Sequence, residues 1–164
     1  MRPAPTMTTP LQHLQQHYDS MPPVAVMQLS IEGFAEHRLG LRAPLAPHVN
    51  DKGCAFGGSL ASLMTLAGWG LVWLELDAAG MEADIYVADS TIRYLAPLYD
   101  ELRVTAEAAA DADWGAFATR LRERGRARIE LVARVPLPDG RVATTFTGRY
   151  VAIARPLAAA GATG

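Results

Sequence analysis

Residues 53–76, GCAFGGSLASLMTLAGWGLVWLEL, decide how the rest of the chain must fold. The stretch carries no charge until Glu75. It is apolar on every side and so has no solvent face. Such a helix is either enclosed by other structure or crosses a membrane. The ~20 residues from Phe56 span about 30 Å at ~1.5 Å per residue, enough for either. Only Lys52 closely precedes it, and Glu75 and Asp77 end it, so no basic cluster sets a membrane orientation. The remaining chain alternates in a way that needs an apolar body to cover. The expectation is a core helix. Its small residues Gly58, Ala61, Thr65 and Gly68 recur at three or four, forming one stripe. That stripe is read either as a packing groove or as a channel for substrate. Leu60, Met64, Leu71 and Trp73 lie elsewhere around the axis.

Outward from the helix the elements are short. Pro10–Tyr18 reads as a helix, with Thr9 as its cap and Pro10 just inside. Val24–Phe34 and Glu36–Leu45 read as strands, followed by the loop Ala46–Gly53. After the helix come Asp84–Leu95, Glu101–Ala110, Arg120–Val135 and Arg141–Ala154, again as strands. Asp111–Thr119 reads as a connection and Pro138-Asp139-Gly140 as a hairpin turn. The order predicts an α+β fold, an antiparallel sheet wrapped around one long central helix. The chain divides into a tail and short helix (1–23), one domain (24–154) and a flexible alanine-rich tail (155–164). The first nine residues, polar and proline-containing, are expected to be disordered.

Composition narrows the function. The 164 residues suit a single domain, and a net charge of −2 points to neither nucleic acid nor membrane. Cys54 is the only cysteine, which favours a reducing cytoplasm. The N-terminal segment lacks the apolar core of a secretory signal.

Gly57 and Gly58 stand at the start of the helix, where the first N–H groups lack intrahelical partners and the dipole favours negative charge. Asn50 offers a side-chain N–H to the same place. A carbonyl oxygen gaining charge would be held there. The plainer reading is that Asn50 and Asp51 shape a turn that the glycines permit. Cys54 is read as an inert buried residue rather than a thiolate, although His48 lies six residues away. His13 and His17 lack a third partner for a metal, so no metal is expected. Asp89, amid an apolar strand with Ser90, is a base, a partner of Arg93, or simply solvated. Arg120, Arg122, Arg124, Arg126, Arg128 and Arg134 form a run without a lysine. It is read as a solvated sheet face, or as a site for phosphates or an acidic protein.

Asn50, Phe56-Gly57-Gly58-Ser59, the long helix and Thr91-Ile92-Arg93-Tyr94-Leu95-Ala96-Pro97 together resemble hot-dog-fold proteins of the acyl-thioester superfamily over roughly Ala25 to Ala154. More narrowly, residues 43–76, APLAPHVNDKGCAFGGSLASLMTLAGWGLVWLEL, resemble a thioesterase-like bacterial domain. That domain occurs alone or fused to an acetyltransferase, and its members are implicated as malonyl-acyl-carrier-protein decarboxylases. The resemblance implies a homodimer, with a tetramer left open, and two sites at the interface. A phosphopantetheine arm carried by the substrate, acyl carrier protein or coenzyme A, enters beside the helix N-terminus, and no cofactor of the protein's own is implied. Asn50 and the Gly57 and Gly58 amides hold the thioester carbonyl; Phe56 and Leu60 form an apolar wall near Ser59. The Asp84–Leu95 strand, with Asp89 and Ser90, comes from the other subunit. Related hydrolases carry His-Gly-Gly and an acid seven residues after the second glycine. Here Phe56 and Thr65 stand at those positions, which leaves Asp51 and Asp89 as bases. Three functions follow: decarboxylation of malonyl-carrier protein in fatty acid synthesis, thioester hydrolysis, or binding without turnover.

Overall fold

The computed structural model describes residues 8–156. The expected loose segments before residue 8 and after residue 156 lie outside the described residues. The chain runs α1 (Pro10–Ser20), a single helical turn α2 (Pro22–Ala25), β1 (Ser30–Ala35) and β2 (Arg38–Ala43). It continues through α3 (Gly57–Ala78), β3 (Ala83–Tyr94), β4 (Leu102–Ala108), α4 (Trp114–Arg124), β5 (Arg126–Pro136) and β6 (Val142–Ala154). The six strands form one antiparallel sheet in the order β1-β2-β4-β5-β6-β3, with β1 and β3 at its edges.

α3 lies along this sheet and packs on β2 through β6 and on α1. Its length and composition would pass for a membrane span. The sheet instead encloses it, with Leu63, Met64, Leu71 and Val72 completely buried. Each such side chain stabilises the fold by about 1.5–3 kcal/mol. The small residues serve packing. A Cβ on Gly68 would come within 2.2 Å of the Tyr150 hydroxyl, and one on Gly70 within 2.0 Å of the Tyr18 hydroxyl. Both tyrosines are fully buried. Tyr150 donates to the Thr65 carbonyl and Tyr18 to the Leu66 carbonyl, each at 2.7 Å. Gly68, on the stripe, therefore receives the Tyr150 ring, whereas Gly70, on another side of the helix, receives Tyr18. Because Tyr18 comes from α1, the N-terminal helix belongs to the same core. A capping box between Thr9 and Gln12 starts it.

Three elements differ from the sequence-based expectation. Val24–Met27 is helical turn, not strand, because Met21-Pro22-Pro23 starts a turn in which the Val24 and Ala25 amides bond to Met21 O. Glu36 and His37 form the two-residue β1–β2 turn, with φ of 50° and 59°, rather than opening β2. That is the primed turn whose twist suits a hairpin. α3 starts at Gly57, as read from the sequence, since Ala55 still pairs with Val49. The largest change is α4. Asp113 caps it by accepting from the Ala116 amide at 2.6 Å, Phe117 and Leu121 are its buried side, and Gly125 ends it at φ 68°. The expected strand Arg120–Val135 is thus a helix end, a glycine corner and a strand. The Pro138–Gly140 turn joins β5 to β6 as expected, with Gly140 at φ 88°.

Candidate functional site

The N-terminus of α3 is left open. Its N-cap residue is Phe56, whose side chain offers no capping bond. Among the described residues, the Gly57, Gly58 and Ser59 amides have no acceptor. Three N–H groups and the positive end of a 22-residue helix therefore face the same region. The Phe56 ring lies over Gly58, where a Cβ would meet it at 2.6 Å. Gly57 is covered by Tyr94, whose hydroxyl donates to the Gly57 carbonyl at 2.9 Å. The bare glycines thus admit two aromatic rings as well as exposing amides.

The preceding loop folds back on itself. Phe56 N–H donates to His48 O at 2.7 Å, and Asn50 N–H to Cys54 O at 2.8 Å. Gly53 completes the turn at φ 79°. The Asn50 side chain stays within this loop. Its Oδ1 accepts from the Lys52 and Cys54 amides at 2.8 and 3.2 Å. Its Nδ2 donates to Cys54 Sγ at 3.2 Å. Two backbone donors thus fix the carboxamide, and a thiol is a weak acceptor that takes one of the two Nδ2 protons. Cys54 is buried and serves as Asn50's partner.

His48 carries more than the sequence suggested. It is buried, with Nε2 donating to Met27 O at 2.7 Å. A carbonyl only accepts, so Nε2 bears the proton and Nδ1 accepts from the Ser59 hydroxyl at 2.9 Å. The chain Ser59–His48–Met27 ties the first turn of α3 to the end of α2. A cavity of about 370 Å³ lies beside it, lined by Pro23, Val26, His48, Phe56, Gly58, Ser59 and Ser62 among others. Val26 and Phe56 are exposed at its rim. Sequence reasoning named Ser59 but not its pairing with His48, a contact across eleven residues that only the folded loop creates.

The other expected residues fall elsewhere. Leu60 is 3% exposed and packs in the hydrophobic core, not among the residues lining the cavity. Asp51 stands in the loop turn, its side chain 79% exposed and paired with Lys52. Asp89 pairs across the sheet with Arg149, not with Arg93, since a bulge after Val87 puts Asp89 opposite Arg149. The part of β3 that reaches α3's N-terminus in this chain is Tyr94, about 16 Å along the strand from Asp89 at ~3.3 Å per residue. His17 stacks on Trp69 with ring centroids 4.9 Å apart, and His13 is exposed.

The fold and this sequence have close counterparts. The family described as "Putative thioesterase (yiiD_Cterm)" matches residues 11–154. A Shewanella oneidensis protein described as a putative thioesterase is 34% identical, covering 90% of this chain and 99% of its own, with a TM-score of 0.79. A Chlorobaculum tepidum protein of unknown function is 29% identical over 90% of this chain and 98% of its own, with a TM-score of 0.81. A Pseudomonas aeruginosa protein described as a probable thioesterase shares the fold at a TM-score of 0.76 and 24% identity, covering 91% of this chain and 99% of its own. With the long helix enclosed by its sheet and the family matched over nearly the whole described chain, this protein is a hot-dog-fold member of the YiiD C-terminal thioesterase family.

Proposed function

We propose that the protein acts on an acyl thioester, and that its reaction is decarboxylation of a malonyl group on acyl carrier protein to the acetyl form. The thioester carbonyl would rest between Asn50 Nδ2 and the free amides at the start of α3. The bond from the carboxylate to the neighbouring methylene carbon breaks and CO₂ leaves. Its electron pair becomes an enolate whose charge sits on the thioester oxygen. Water then returns a proton to carbon, and the thioester bond stays intact. This sequence needs charge stabilisation in an apolar setting and no general base.

The supporting observation is an uncapped helix N-terminus together with the engagement, among the described residues, of both candidate bases elsewhere. Asp51 is solvated and Asp89 is engaged by Arg149. Phe56 and Thr65 occupy the places where related hydrolases carry catalytic groups, and Thr65 donates its hydroxyl to the Ala61 carbonyl. Incubation with malonyl-carrier protein, followed by mass measurement of the carrier, tests the proposal. The expected product is an intact thioester lighter by CO₂. Free carrier thiol with malonate released would overturn it.

One observation favours a second reading, hydrolysis. The Ser59 hydroxyl hydrogen-bonds to a buried, oriented imidazole, an arrangement that activates a nucleophile. In that case Ser59→Ala abolishes thiol release, whereas decarboxylation survives it.

The proposal includes a second copy of the chain. β3 is a 12-residue edge strand bonded to β6 alone, and it exposes Tyr86, Val87 and Tyr94. An edge of that length invites pairing. Sedimentation at micromolar concentration should give twice the chain mass.

A further inference from the structure

The arginine run was read from sequence as a solvated sheet face or as a site for phosphates or an acidic protein; the fold divides it between α4 and β5 and then reassembles part of it. Arg120 and Arg124 lie one turn apart on α4, on the same side of the helix. Gly125, in the left-handed region, turns the chain sharply into β5. There Arg126 and Arg128 alternate with buried Ala127 and Ile129, so both point to the outer face. The corner gathers all four arginines around one hollow of about 450 Å³, lined otherwise only by Ala127.

Among the described residues, none of the four makes an ion pair. Arg38, Arg103, Arg141, Arg149 and Arg155 each meet an Asp or Glu. Glu130, next on the same face as Arg128, sits opposite Arg149. Four like charges around one cavity repel each other, and a multivalent anion placed among them converts that repulsion into attraction. We propose that this hollow binds a phosphate or diphosphate group, either free or carried on a nucleotide. The set is all arginine, whose planar fork matches phosphate oxygens two at a time. The four arginines line one hollow. An acidic protein surface would instead need them spread along a face.

The hollow is distinct from the acyl site within one chain. Arg122, between the paired arginines on α4, reaches Ala79 O just past the C-terminal end of α3. The proposed acyl site is at the other end of that 22-residue helix, about 33 Å away at ~1.5 Å per residue.

Calorimetric titration at low salt tests the assignment. The probes are inorganic phosphate, pyrophosphate and adenosine 3′,5′-diphosphate, added to the intact chain and to Arg126→Ala/Arg128→Ala. At least one probe should bind at one per chain, more weakly as salt rises. The double variant should lose ~10-fold or more in affinity, since two charge-assisted contacts are removed. Tighter binding of the nucleotide than of pyrophosphate assigns the site to a nucleotide-borne group; equal binding assigns it to free phosphate. Absence of binding by all three, or equal affinity in the variant, overturns the proposal. So does capture of an acidic protein through these arginines without phosphate binding. If the double variant fails to fold, Arg124→Ala reads the same loss. No thioester turnover is involved, so the result is independent of the proposed reaction.

Discussion

The two ends of α3 are built to opposite specifications. At its N-terminus, among the described residues, three amides are left without partners, and the cavity beside them has Phe56 and Val26 at its rim. Beyond its C-terminus, α4 and β5 gather four unpaired arginines around a hollow. One end offers weak, fixed, uncharged donors in apolar surroundings. The other offers full positive charge in water. The lesson is that neutral backbone donors suit a charge that appears only during a reaction, whereas guanidinium groups suit a charge that is present throughout. A group that develops charge is best met by donors that do not already attract every anion in solution.

The comparison can be broken most forcefully at the N-terminal end. Asn50→Ala should lower kcat on malonyl-carrier protein ~100–1,000-fold, with little change in thermal stability beyond that of the loop. Activity that survives it removes Asn50 from the acyl site. Next comes the rod that holds the ends apart. Gly70→Ala drives a methyl into the Tyr18 hydroxyl and should destabilise the protein by about 1–3 kcal/mol in urea unfolding. A neutral result would mean that α1 moves freely on α3. Ser59→Ala leaves His48 Nδ1 without its donor in a buried place, at a cost of about 1–3 kcal/mol by the same measurement.

The smallest effects are on pH and on the helix that carries the arginines. Burial pushes the phenols of Tyr18 and Tyr150 up from their ordinary value, Tyr18 well above it, with the neighbouring Tyr150 adding to the rise at Tyr18. The folded state thus keeps protons that the unfolded chain loses above about pH 10. Their stabilisation is complete below that pH and declines as pH rises toward the folded values. The urea midpoint should therefore fall between pH 10 and 11, and less steeply in Tyr150→Phe. Asp113→Ala removes the cap of α4 and should cost about 1 kcal/mol. It should also weaken phosphate binding in the hollow slightly, while leaving the thioester reaction unchanged.

Much of this was legible in the residues. The apolar helix announced itself because it has no polar face, and β4 and β5 showed alternation that the burial of Leu102, Val104 and Leu131 bears out. The hairpin at Pro138–Gly140 followed from turn chemistry. α4 did not, because arginines at every second position imitate a strand. The better signals were Asp113 as cap, Phe117 and Leu121 four apart, and Gly125 as stop. The Glu36-His37 turn was illegible, since both residues take a left-handed conformation that glycine or asparagine normally marks. At the candidate site, Asn50, Phe56 and the glycines were read from one contiguous motif. Ser59's partner was not, and Asp89's was misread, because each depends on where another segment lands.

By itself, the sequence determined that a greasy helix needed a sheet to enclose it, and that a loop with Asn50 led into that helix. Local hydrophobic periodicity and turn chemistry are properties of neighbouring residues, so they can be read in line. Only the tertiary structure decided that His48 would hold Ser59, that Tyr150 and Tyr18 would fill the spaces at Gly68 and Gly70, and that four arginines from a helix and a strand would converge. Those outcomes come from distant segments brought within hydrogen-bonding or packing range by burial of the core, and no pattern along one segment encodes the distance to another.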